Sequence, residues 1–310
     1  MLNRTIVMDV LSDILGKIKL SSAVYFKSDF SSPWGMDIPK GPFAQFHIVT
    51  EGECILNTRT RKLQLFAGDI IVFPLGTSHW LADVESSDRK EGIEVVNAIL
   101  NGKSLFDGDQ IATTLVCGHF AFDKSIDHPF LSQLPDLIYI PNTEKQEHSW
   151  LESISNLVIQ EAEKEQSGSN VIVNKLGEVL FVHALRAYIQ KNKVKKGFFA
   201  ALQDKRISKA LKVIHNSPEK DWQVHTLAKT AGMSRTSFSN RFRELIEDTP
   251  MSYLTQWRIL QAQELLKETE KPVGEIAEEV GYLSEAAFSR VFKKRVAQTP
   301  LKYRKGEILT

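Results

Sequence analysis

Two patterns of apolar and polar positions divide the chain. Up to about residue 122 the apolar residues form short or alternating runs separated by glycine and proline, such as 23–25, 43–49, 54–56 and 70–73. Runs of this length with turn residues between them are typical of strands in a small β-barrel or sandwich. We therefore expect a barrel over about residues 20–125.

Helical spacing of the apolar positions begins after the predicted barrel. Residues 148–165 and 171–191 each carry a broad apolar face, and a Ser-Gly-Ser-Asn turn at 167–170 separates them. A period of 3.6 residues predicts an amphipathic helix for each segment. The polar and basic stretch 191–197 that follows is interpreted as an interdomain linker, with a solvated helix end as the alternative.

The last third of the chain contains one pattern twice. Residues 227–243 lead to a Thr-Pro pair at 249–250, and residues 276–293 lead to a Thr-Pro pair at 299–300. A duplicated unit fixes the architecture of its region. From the phenylalanines onward the offset is constant, which gives the pairs Phe238/Phe288, Phe242/Phe292, Pro250/Pro300 and Tyr253/Tyr303.

Each copy has the residues that a helix-turn-helix requires. A small alanine four residues before a glycine lets a second helix cross closely, and the glycine supplies the positive φ of the turn. A serine then caps the second helix, whose i,i+4 phenylalanines face the core. These positions are Ala228, Gly232 and Ser234 in the first copy, and Ala277, Gly281 and Ser284 in the second.

The segment between the copies, from Ser252 to about Thr269, predicts a single helix of about 25 Å. Such a spacer can hold two recognition helices for successive turns of the major groove, which lie about 34 Å apart. An ordinary helical bundle with solvated polar faces is the alternative. Two copies with matching caps, aromatics and Thr-Pro ends disfavour it.

From about Arg206 to Arg304 the chain resembles the DNA-binding domain of AraC/XylS-type transcriptional regulators, most closely at residues 276–282, 288–294 and 299–304. The resemblance implies that the first recognition helix makes most base contacts. The second has Glu285 and two alanines at reading positions, so we expect it to contribute mainly affinity through phosphate. The expected DNA-binding residues are Arg235, Thr236, Ser239, Asn240, Arg243, Ser289, Arg290 and Lys293.

Charge is divided between the two regions. Residues 205–310 hold 19 Lys and Arg against 13 Asp and Glu, whereas residues 1–204 hold 20 against 25. The near-neutral total of +1 therefore combines a basic region with an acidic one. Only the local field acts on a phosphate backbone, so the total does not argue against DNA binding.

Residues 68–83 resemble the second motif of cupins, G-x5-P-x-G-x2-H-x3-N, with Asp83 in place of the asparagine. Residues 46–52 resemble the end of the first cupin motif. That motif supplies an H-x-H pair in metal-binding cupins, but residues 26–46 contain no histidine. An oxygenase or isomerase needs three or four fixed ligands around an open metal. We therefore expect no enzyme, with a cupin metalloenzyme tethered to a DNA-binding domain as the alternative.

The N-terminal region as a whole resembles the cupin sensor domain of one branch of AraC-type regulators. Two hypotheses concern what it senses. In the first, His47, His79, Cys117 and His119 meet in the barrel and bind zinc or another transition metal; in the second, an organic ligand lies in the barrel mouth. The pocket would be lined by Trp34, Phe46, Phe73 and Trp80.

Other interpretations stay open for these residues. The histidines are otherwise hydrogen-bonded core residues, and Cys117 is otherwise a buried small hydrophobe. A redox pair of Cys54 and Cys117 is a further hypothesis. The cofactor is therefore left unknown.

The sequence thus predicts an α+β multidomain protein: a cupin-like barrel, a helical pair, and an all-α domain with two helix-turn-helix motifs joined by a long helix. The predicted boundaries are 1–195 for the sensor and dimerisation domain, 196–204 for the linker and 205–310 for the DNA-binding domain. The function predicted is sequence-specific transcriptional regulation in response to a small molecule, metal or redox signal. An effector-independent DNA binder is a second alternative.

The predicted partners are double-stranded DNA, an effector, a second copy of the chain and, as a further candidate, RNA polymerase. In the family that the sequence resembles, the helical pair often forms the dimer interface; packing against the barrel is the alternative. The chain has neither an apolar run of membrane-spanning length nor a charged leader followed by an apolar stretch. The location expected is the cytoplasm.

Overall fold

The computed structural model describes residues 9–123, 126, 128–142, 149–163, 166–192 and 196–306. The chain forms two compact units. The sheet unit comprises Lys19–Asp123 and Leu134–Asn192, and the helical unit comprises Met1–Ile18, Lys124–Gln133 and Lys193–Thr310. An α+β multidomain fold, with a curled cupin-like sheet and a helical C-terminal domain, is confirmed.

The sheet unit is built around nine strands in the described part of the chain. The neighbouring strands follow the order β1-β8-β3-β6-β2-β7, while β4 pairs with β3 and β5 pairs with both β3 and β9. Their bounds are β1 Ser21–Ser31, β2 Gly35–Ile38, β3 Ala44–Thr58, β4 Lys62–Phe66, β5 Ile70–Phe73, β6 His79–Ala82, β7 Lys90–Glu91, β8 Ile111–Ala121 and β9 Ile138–Ile140.

The long strand β3 curls the sheet. Its first half pairs with β5 and β8, whereas its second half pairs with β4 and β6. Alternate residues of each strand face the inside of the curl. The interior is filled by apolar side chains, including Phe30, Trp34, Leu56, Phe73 and Leu115.

In the described part of the sheet unit, three helices accompany the strands. Helix α2, Gly92–Leu100, contacts β1 and β2, and the predicted helical pair is present as α4, Ser149–Glu163, and α5, Ser169–Lys191. Helix α5 approaches β1 closely, because a Cβ at Gly177 would lie 2.3 Å from the hydroxyl oxygen of Ser22. Residues 148, 164 and 165 of the predicted pair lie outside the described residues.

The helical unit combines the C-terminal region with two short segments from elsewhere in the chain. These segments contain α1, Val10–Lys17, and α3, Pro129–Ser132. The C-terminal helices are α6 Phe198–Gln203, α7 Ile207–Asn216, α8 Val224–Thr230, α9 Arg235–Ile246, α10 Pro250–Glu268, α11 Val273–Glu279, α12 Glu285–Val296 and α13 Pro300–Arg304.

These units differ from the predicted domain boundaries in two places. Residues 9–18, 126 and 128–133 belong to the helical unit, although the prediction assigned them to the sensor. The predicted linker 196–204 contains helix α6, in which Phe198, Phe199, Ala200 and Ala201 are all buried. The apolar residues of α6 are therefore packed and do not face solvent. Residues 193–195 lie outside the described part.

None of the described helices is both long enough and apolar enough to cross a membrane.

Candidate nucleic-acid interface and ligand cavity

The two helix-turn-helix copies have the predicted local geometry. Gly232 and Gly281 take positive φ angles of 65° and 87°. The hydroxyl of Ser234 accepts a hydrogen bond from the backbone N–H of Ser237, and that of Ser284 accepts one from Ala287. The turns and caps of both copies therefore agree with the sequence prediction.

The aromatic side of each recognition helix is buried, so the opposite side of the helix is the one exposed to solvent. Phe238 and Phe242 of α9 and Phe288 and Phe292 of α12 are fully buried. Helical geometry then turns the polar side outward. The predicted DNA-binding residues Arg235, Thr236, Asn240, Arg243, Arg290 and Lys293 are exposed, and Ser239 and Ser289 are half-buried.

The two recognition helices offer different groups to a base edge. The first presents Asn240, whose amide can pair bidentately with adenine, and Arg235, whose guanidinium can pair with guanine. The hydroxyl of Ser239 donates to the carbonyl oxygen of Arg235 at 2.9 Å, so it is partly engaged within the helix. The second begins with Glu285, whose carboxylate lies beside Gly274 of α11. This asymmetry favours the first copy as the one that selects sequence.

The helix that joins the two copies, called the linker helix, also agrees with the prediction. This helix, α10, runs from Pro250 to Glu268, close to the expected span of 252–269. Thr249 caps it through its side chain, which accepts from the backbone N–H of Ser252, and proline occupies its first turn. Both features favour initiation of a helix at this residue.

Three of the four predicted metal ligands meet inside the sheet unit. Nε2 of His47 lies 2.9 Å from Nε2 of His79, and Nδ1 of His47 lies 3.1 Å from Sγ of Cys117. His79 also stacks on Phe73, with ring centroids 3.7 Å apart, and its Nδ1 lies 2.8 Å from the carbonyl oxygen of Thr77. The register brings His47 and Cys117 together because they are direct partners on β3 and β8.

The contacts determine which atoms donate. A carbonyl can only accept, so Nδ1 of His79 carries a proton toward Thr77, and Nε2 of His79 is then an acceptor. His47 therefore donates from Nε2, and its Nδ1 accepts the thiol proton of Cys117. The three side chains form one satisfied chain of hydrogen bonds between neutral groups.

The pKa values of these groups agree with a neutral chain. Burial, followed by the neighbouring His79, places the pKa of His47 well below its usual value. Burial also lowers the pKa of His79 to about 4, against a smaller opposing effect of the Thr77 hydrogen bond. Burial and then Cys54 raise the pKa of the Cys117 thiol.

This geometry does not suit a single metal ion. Cys117 and His79 face opposite nitrogens of the His47 ring, whereas the ligands of one ion must point to a common centre. In the described part of the chain, no group of three or more His, Cys, Asp or Glu side chains is arranged to hold a metal ion. The predicted grouping of His47, His79 and Cys117 is therefore found, but as a hydrogen-bonded chain.

His119 is placed differently from the other three predicted ligands. Its ring packs against Tyr25 and Phe43, with centroids 5.0 and 4.9 Å apart. Its Nδ1 is buried and has no hydrogen-bond partner among the described residues. Sharing a strand face with Cys117 did not bring it to His47, because successive residues on one face lie almost 7 Å apart along a strand.

Cys54 and Cys117 are both free and buried. Burial, and then the nearby Asp69, raise the pKa of Cys54 to about 12. A thiolate is the reactive form of cysteine, so both thiols are in environments that suppress thiol exchange. The raised pKa values of the two thiols disfavour the hypothesis that they form a redox pair.

A cavity of about 220 Å³ lies in the sheet unit next to His47 and Cys117. Its walls are mainly apolar, and none of the described residues that line it carries a carboxylate, ammonium or guanidinium group. The amide oxygen of Gln45 is buried there and has no hydrogen-bond partner among the described residues. The lining residues are Tyr25, Phe26, Met36, Ile38, Pro39, Gly41, Gln45, His47, Gly92, Ile93, Val96, Cys117 and Gly118.

The four aromatic residues predicted to line a pocket are not around this cavity. Phe46 stacks on Phe120, which packs against Phe181 of α5, so it faces the helices. Trp34 is buried in the core beside Phe30, and Phe73 stacks on His79. Trp80 lies beneath the guanidinium of Arg89 at 4.7 Å and borders a separate, open depression.

Strand alternation explains part of this correction. Adjacent residues point to opposite faces, so Phe46 and His47 cannot both face inward. The same rule would have identified Gln45, two residues before His47, as an inward polar residue. Ile93 and Val96 of α2 carry no comparable signal in the sequence, because a helix packed over the sheet places them there.

Asp83, which replaces the asparagine of the cupin motif, has a structural role. Partial burial alone would raise the pKa of its carboxyl, but hydrogen bonds from Ser32, Ser87 and the backbone N–H groups of Val84 and Trp34 outweigh burial and lower it. The carboxylate thus ties the loop after β6 to the loop before β2. It takes no part in the cavity.

Comparison with known proteins gives matches over both units. The family model described as Cupin matches residues 9–190, and the one described as Helix-turn-helix domain matches residues 227–306. An HTH-type transcriptional regulator of Haemophilus influenzae is 31% identical over 311 residues, with 96% of this chain and 99% of the relative covered. The transcriptional regulator AlkR of Acinetobacter baylyi is also 31% identical, with 96% and 99% covered.

Among solved structures, the DNA-binding domain of AdpA in complex with a target DNA is 33% identical. The match covers 33% of this chain and 92% of that chain, with a TM-score of 0.32.

Proposed function

The chain is an AraC-type transcriptional regulator with an N-terminal cupin domain, and from this premise we propose that its cupin domain senses a neutral, largely apolar small molecule. The observation that carries the proposal is the cavity beside His47 and Cys117. A concave, partly open space with mainly apolar walls and few polar groups is typical of a small-molecule site.

The lining of the cavity supports a neutral ligand. A charged ligand would lose part of its hydration in this partly open cavity without meeting an opposite charge, which is unfavourable. The neutral state of His47, whose pKa is lowered by burial, adds to this selection. Sugar phosphates and carboxylic acids are therefore disfavoured relative to neutral molecules.

Size and hydrogen bonding narrow the class further. A dry apolar cavity of about 150 Å³ can bind benzene, so about 220 Å³ suits a somewhat larger molecule. The unpartnered amide oxygen of Gln45 favours a ligand with one hydrogen-bond donor. We propose a small neutral aromatic or alicyclic molecule carrying a single hydroxyl or N–H group.

We propose no catalytic role and no zinc site for the cupin domain. The geometry that supports this view is the opposed arrangement of Cys117 and His79 on the His47 ring. The relatives, which are transcriptional regulators, support it as well.

We further propose that the protein acts as a homodimer through the outer surface of α4 and α5. Leu157, Val171, Ile172 and Val179 are 47%, 66%, 46% and 42% exposed on these helices. Several apolar side chains exposed on two neighbouring helices are consistent with an interface. A regulator that binds DNA in this way would work in the cytoplasm.

The ligand proposal is tested by differential scanning fluorimetry of the full chain with matched probes. Indole and benzyl alcohol represent neutral donors, and benzoate represents an anion of similar size. We expect the neutral probes to raise the melting temperature and to bind Gln45→Leu more weakly, because that variant lacks the acceptor. A second variant, Val96→Trp, introduces a large side chain at the cavity wall. An equal rise in melting temperature with benzoate, or unchanged binding of the neutral probes to both Gln45→Leu and Val96→Trp, would contradict a ligand in this cavity.

A further inference from the structure

Arg258, at the middle of α10, is hydrogen-bonded to the loop that precedes α8. Its Nε donates to the carbonyl oxygen of Pro218 at 2.7 Å, and its Nη2 donates to that of Lys220 at 2.8 Å. Two neighbouring acceptors match the planar fork of a guanidinium. The side chain thus holds the loop 217–222 of the first copy against the linker helix.

The same guanidinium also contacts the second copy. Its Cζ lies 5.6 Å from the centre of the Tyr282 ring, within the range of a cation–π contact. Tyr282 belongs to the turn before α12 and packs edge-on against Phe288 of that helix, with ring centroids 5.5 Å apart. Arg258 therefore reaches the first copy through hydrogen bonds and the second through an aromatic ring.

The turn of the second copy lies directly against the loop of the first. A Cβ at Gly281 would stand 2.6 Å from the carbonyl oxygen of Glu219 and 2.7 Å from Nη2 of Arg258. The φ of Gly281 is +87°, which other residues rarely adopt. Glycine is needed here both for the turn and for this close approach between the copies.

We propose that Arg258 is a positioning residue that sets the distance and angle between the recognition helices α9 and α12. It would thereby determine which spacing of two half-sites the protein accepts on DNA. This inference rests on the proposed DNA contacts of both helices. Arg258 itself is half-buried, and its guanidinium is occupied by groups within the helical unit.

The linker helix alone would not fix this relationship. Each copy is joined to α10 at one end, so a change of backbone angle at either end would move a recognition helix. Arg295 of α12 donates to the hydroxyl of Ser252 at 2.7 Å, but this contact joins the second copy to the linker helix and does not involve the first. Arg258, in contrast, contacts both copies.

The geometry of DNA explains why the contacts of Arg258 should affect binding. The two helices must enter successive major grooves about 34 Å apart, so a rigid pair matches one spacing and a loosened pair tolerates several. A rigid linkage also makes the second contact intramolecular with a high effective concentration at the matched spacing. Removing the contacts of Arg258 should weaken binding at the matched spacing and make the affinity depend less on the spacing of the half-sites.

The experiment begins with selection of duplexes from a random library by the full-length wild-type protein. The duplex that binds most tightly is then synthesised with one base pair inserted or removed between the two contacted half-sites. Affinities are measured by fluorescence anisotropy for wild type, Arg258→Met, Arg258→Lys and the control Arg241→Met. Arg241 also bonds two acceptors, Asp204 and Glu244, but both are near the first copy and neither belongs to the second.

We expect the wild type to prefer the matched spacing by about tenfold or more, as for a mismatch within a site. Arg258→Met should reduce this preference to about twofold, whereas Arg241→Met should leave the ratio intact even if its affinity changes. Arg258→Lys should fall between them, because an ammonium is a point charge without the fork. Arg258→Lys also serves as the test variant if Arg258→Met does not fold.

A spacing preference that is unchanged in folded Arg258→Met or Arg258→Lys would overturn the inference while leaving DNA binding intact. A wild type that selects no duplex at all would instead refute the proposed DNA contacts. A wild type that selects a single half-site without spacing dependence would also overturn the role of Arg258.

Discussion

Tyr253 and His215 share a buried hydrogen bond, with Oη of Tyr253 2.8 Å from Nε2 of His215. Oη also lies 3.2 Å from Nε2 of His128, whose Nδ1 accepts from the backbone N–H of Phe130. Nδ1 of His215 faces a carboxylate oxygen of Asp13 at 3.3 Å. These contacts join α1, the segment before α3, α7 and α10 in the core of the helical unit.

The network is directional. Because Nδ1 of His128 accepts, its Nε2 donates to the oxygen of Tyr253, and the tyrosine hydroxyl then donates to His215. His215 carries its proton on Nδ1, toward Asp13. Helix α1 and the segment before α3 are thereby held against α10 within the helical unit.

Tyr253→Phe should destabilise the protein by about 1–3 kcal/mol, because two buried histidine nitrogens lose their partner. The measurement is the free energy of unfolding from guanidinium titration of the full chain. Tyr303 occupies the same position in the second copy and is half-buried, so Tyr303→Phe is the matched control, expected within about 0.5 kcal/mol of wild type. Equal effects in the two variants would show that the network contributes nothing specific.

Stability should fall as the pH drops below about 6.5. Burial lowers the pKa of His128 to about 3 and of His79 to about 4, and places that of His47 well below its usual value. These histidines stay neutral in the folded protein, whereas the unfolded chain takes up protons below its ordinary histidine pKa. The stability they contribute is thus complete above that value and is lost progressively as the pH falls toward the folded pKa values.

Between pH 7.5 and 5.5 the expected loss is about 1 kcal/mol for each such histidine. Unfolding midpoints at the two pH values measure it, and the change should be smaller in His128→Gln than in wild type. Midpoints that do not move would indicate that the histidines are protonated in the folded state.

Cys117 should react slowly in the native protein. It is buried, and burial raises the pKa of its thiol, so little thiolate is available. Titration with a thiol-reactive chromophore should label Cys117 at least about a hundredfold more slowly in native Cys54→Ala than in the same variant in guanidinium. Rapid native labelling would instead favour a thiol-based signal.

Asn240→Ala and Lys293→Ala should affect DNA binding differently. Loss of a bidentate base contact at Asn240 should cost about 1–3 kcal/mol and relax preference at one base pair. Loss of Lys293, whose proposed contact is to phosphate, should weaken binding to all duplexes similarly and reduce the salt dependence by about one ion. Anisotropy titrations on the selected duplex and on single-base variants separate these outcomes; equal, sequence-independent losses would remove Asn240 as a base-reading residue.

Local sequence signals predicted the DNA-binding region well. The alanine, glycine, serine and phenylalanine positions of each copy act within a few residues of one another, so their spacing determines the turn, the cap and the buried face. The asymmetry between the two recognition helices was likewise visible from Asn240 in the first and Glu285 in the second.

Contacts between distant segments were not predictable in the same way. Asp13, His128, His215 and Tyr253 meet only because two short segments, distant in the sequence from the C-terminal helices, pack with them in the helical unit. The cavity was missed for a similar reason, since α2 forms part of its wall. Arg258 is one polar residue among many on a long helix until the loop and the turn that it contacts are brought together.

The most direct test of sequence-specific regulation is the ratio of two dissociation constants, measured near physiological salt for the full-length protein. One is for a duplex selected from a random library and the other is for a scrambled duplex of equal length and composition. A specific regulator should bind the selected duplex at least about 1,000-fold more tightly. A ratio near one, with a steep salt dependence for both duplexes, would show that the protein binds DNA only through its phosphate backbone.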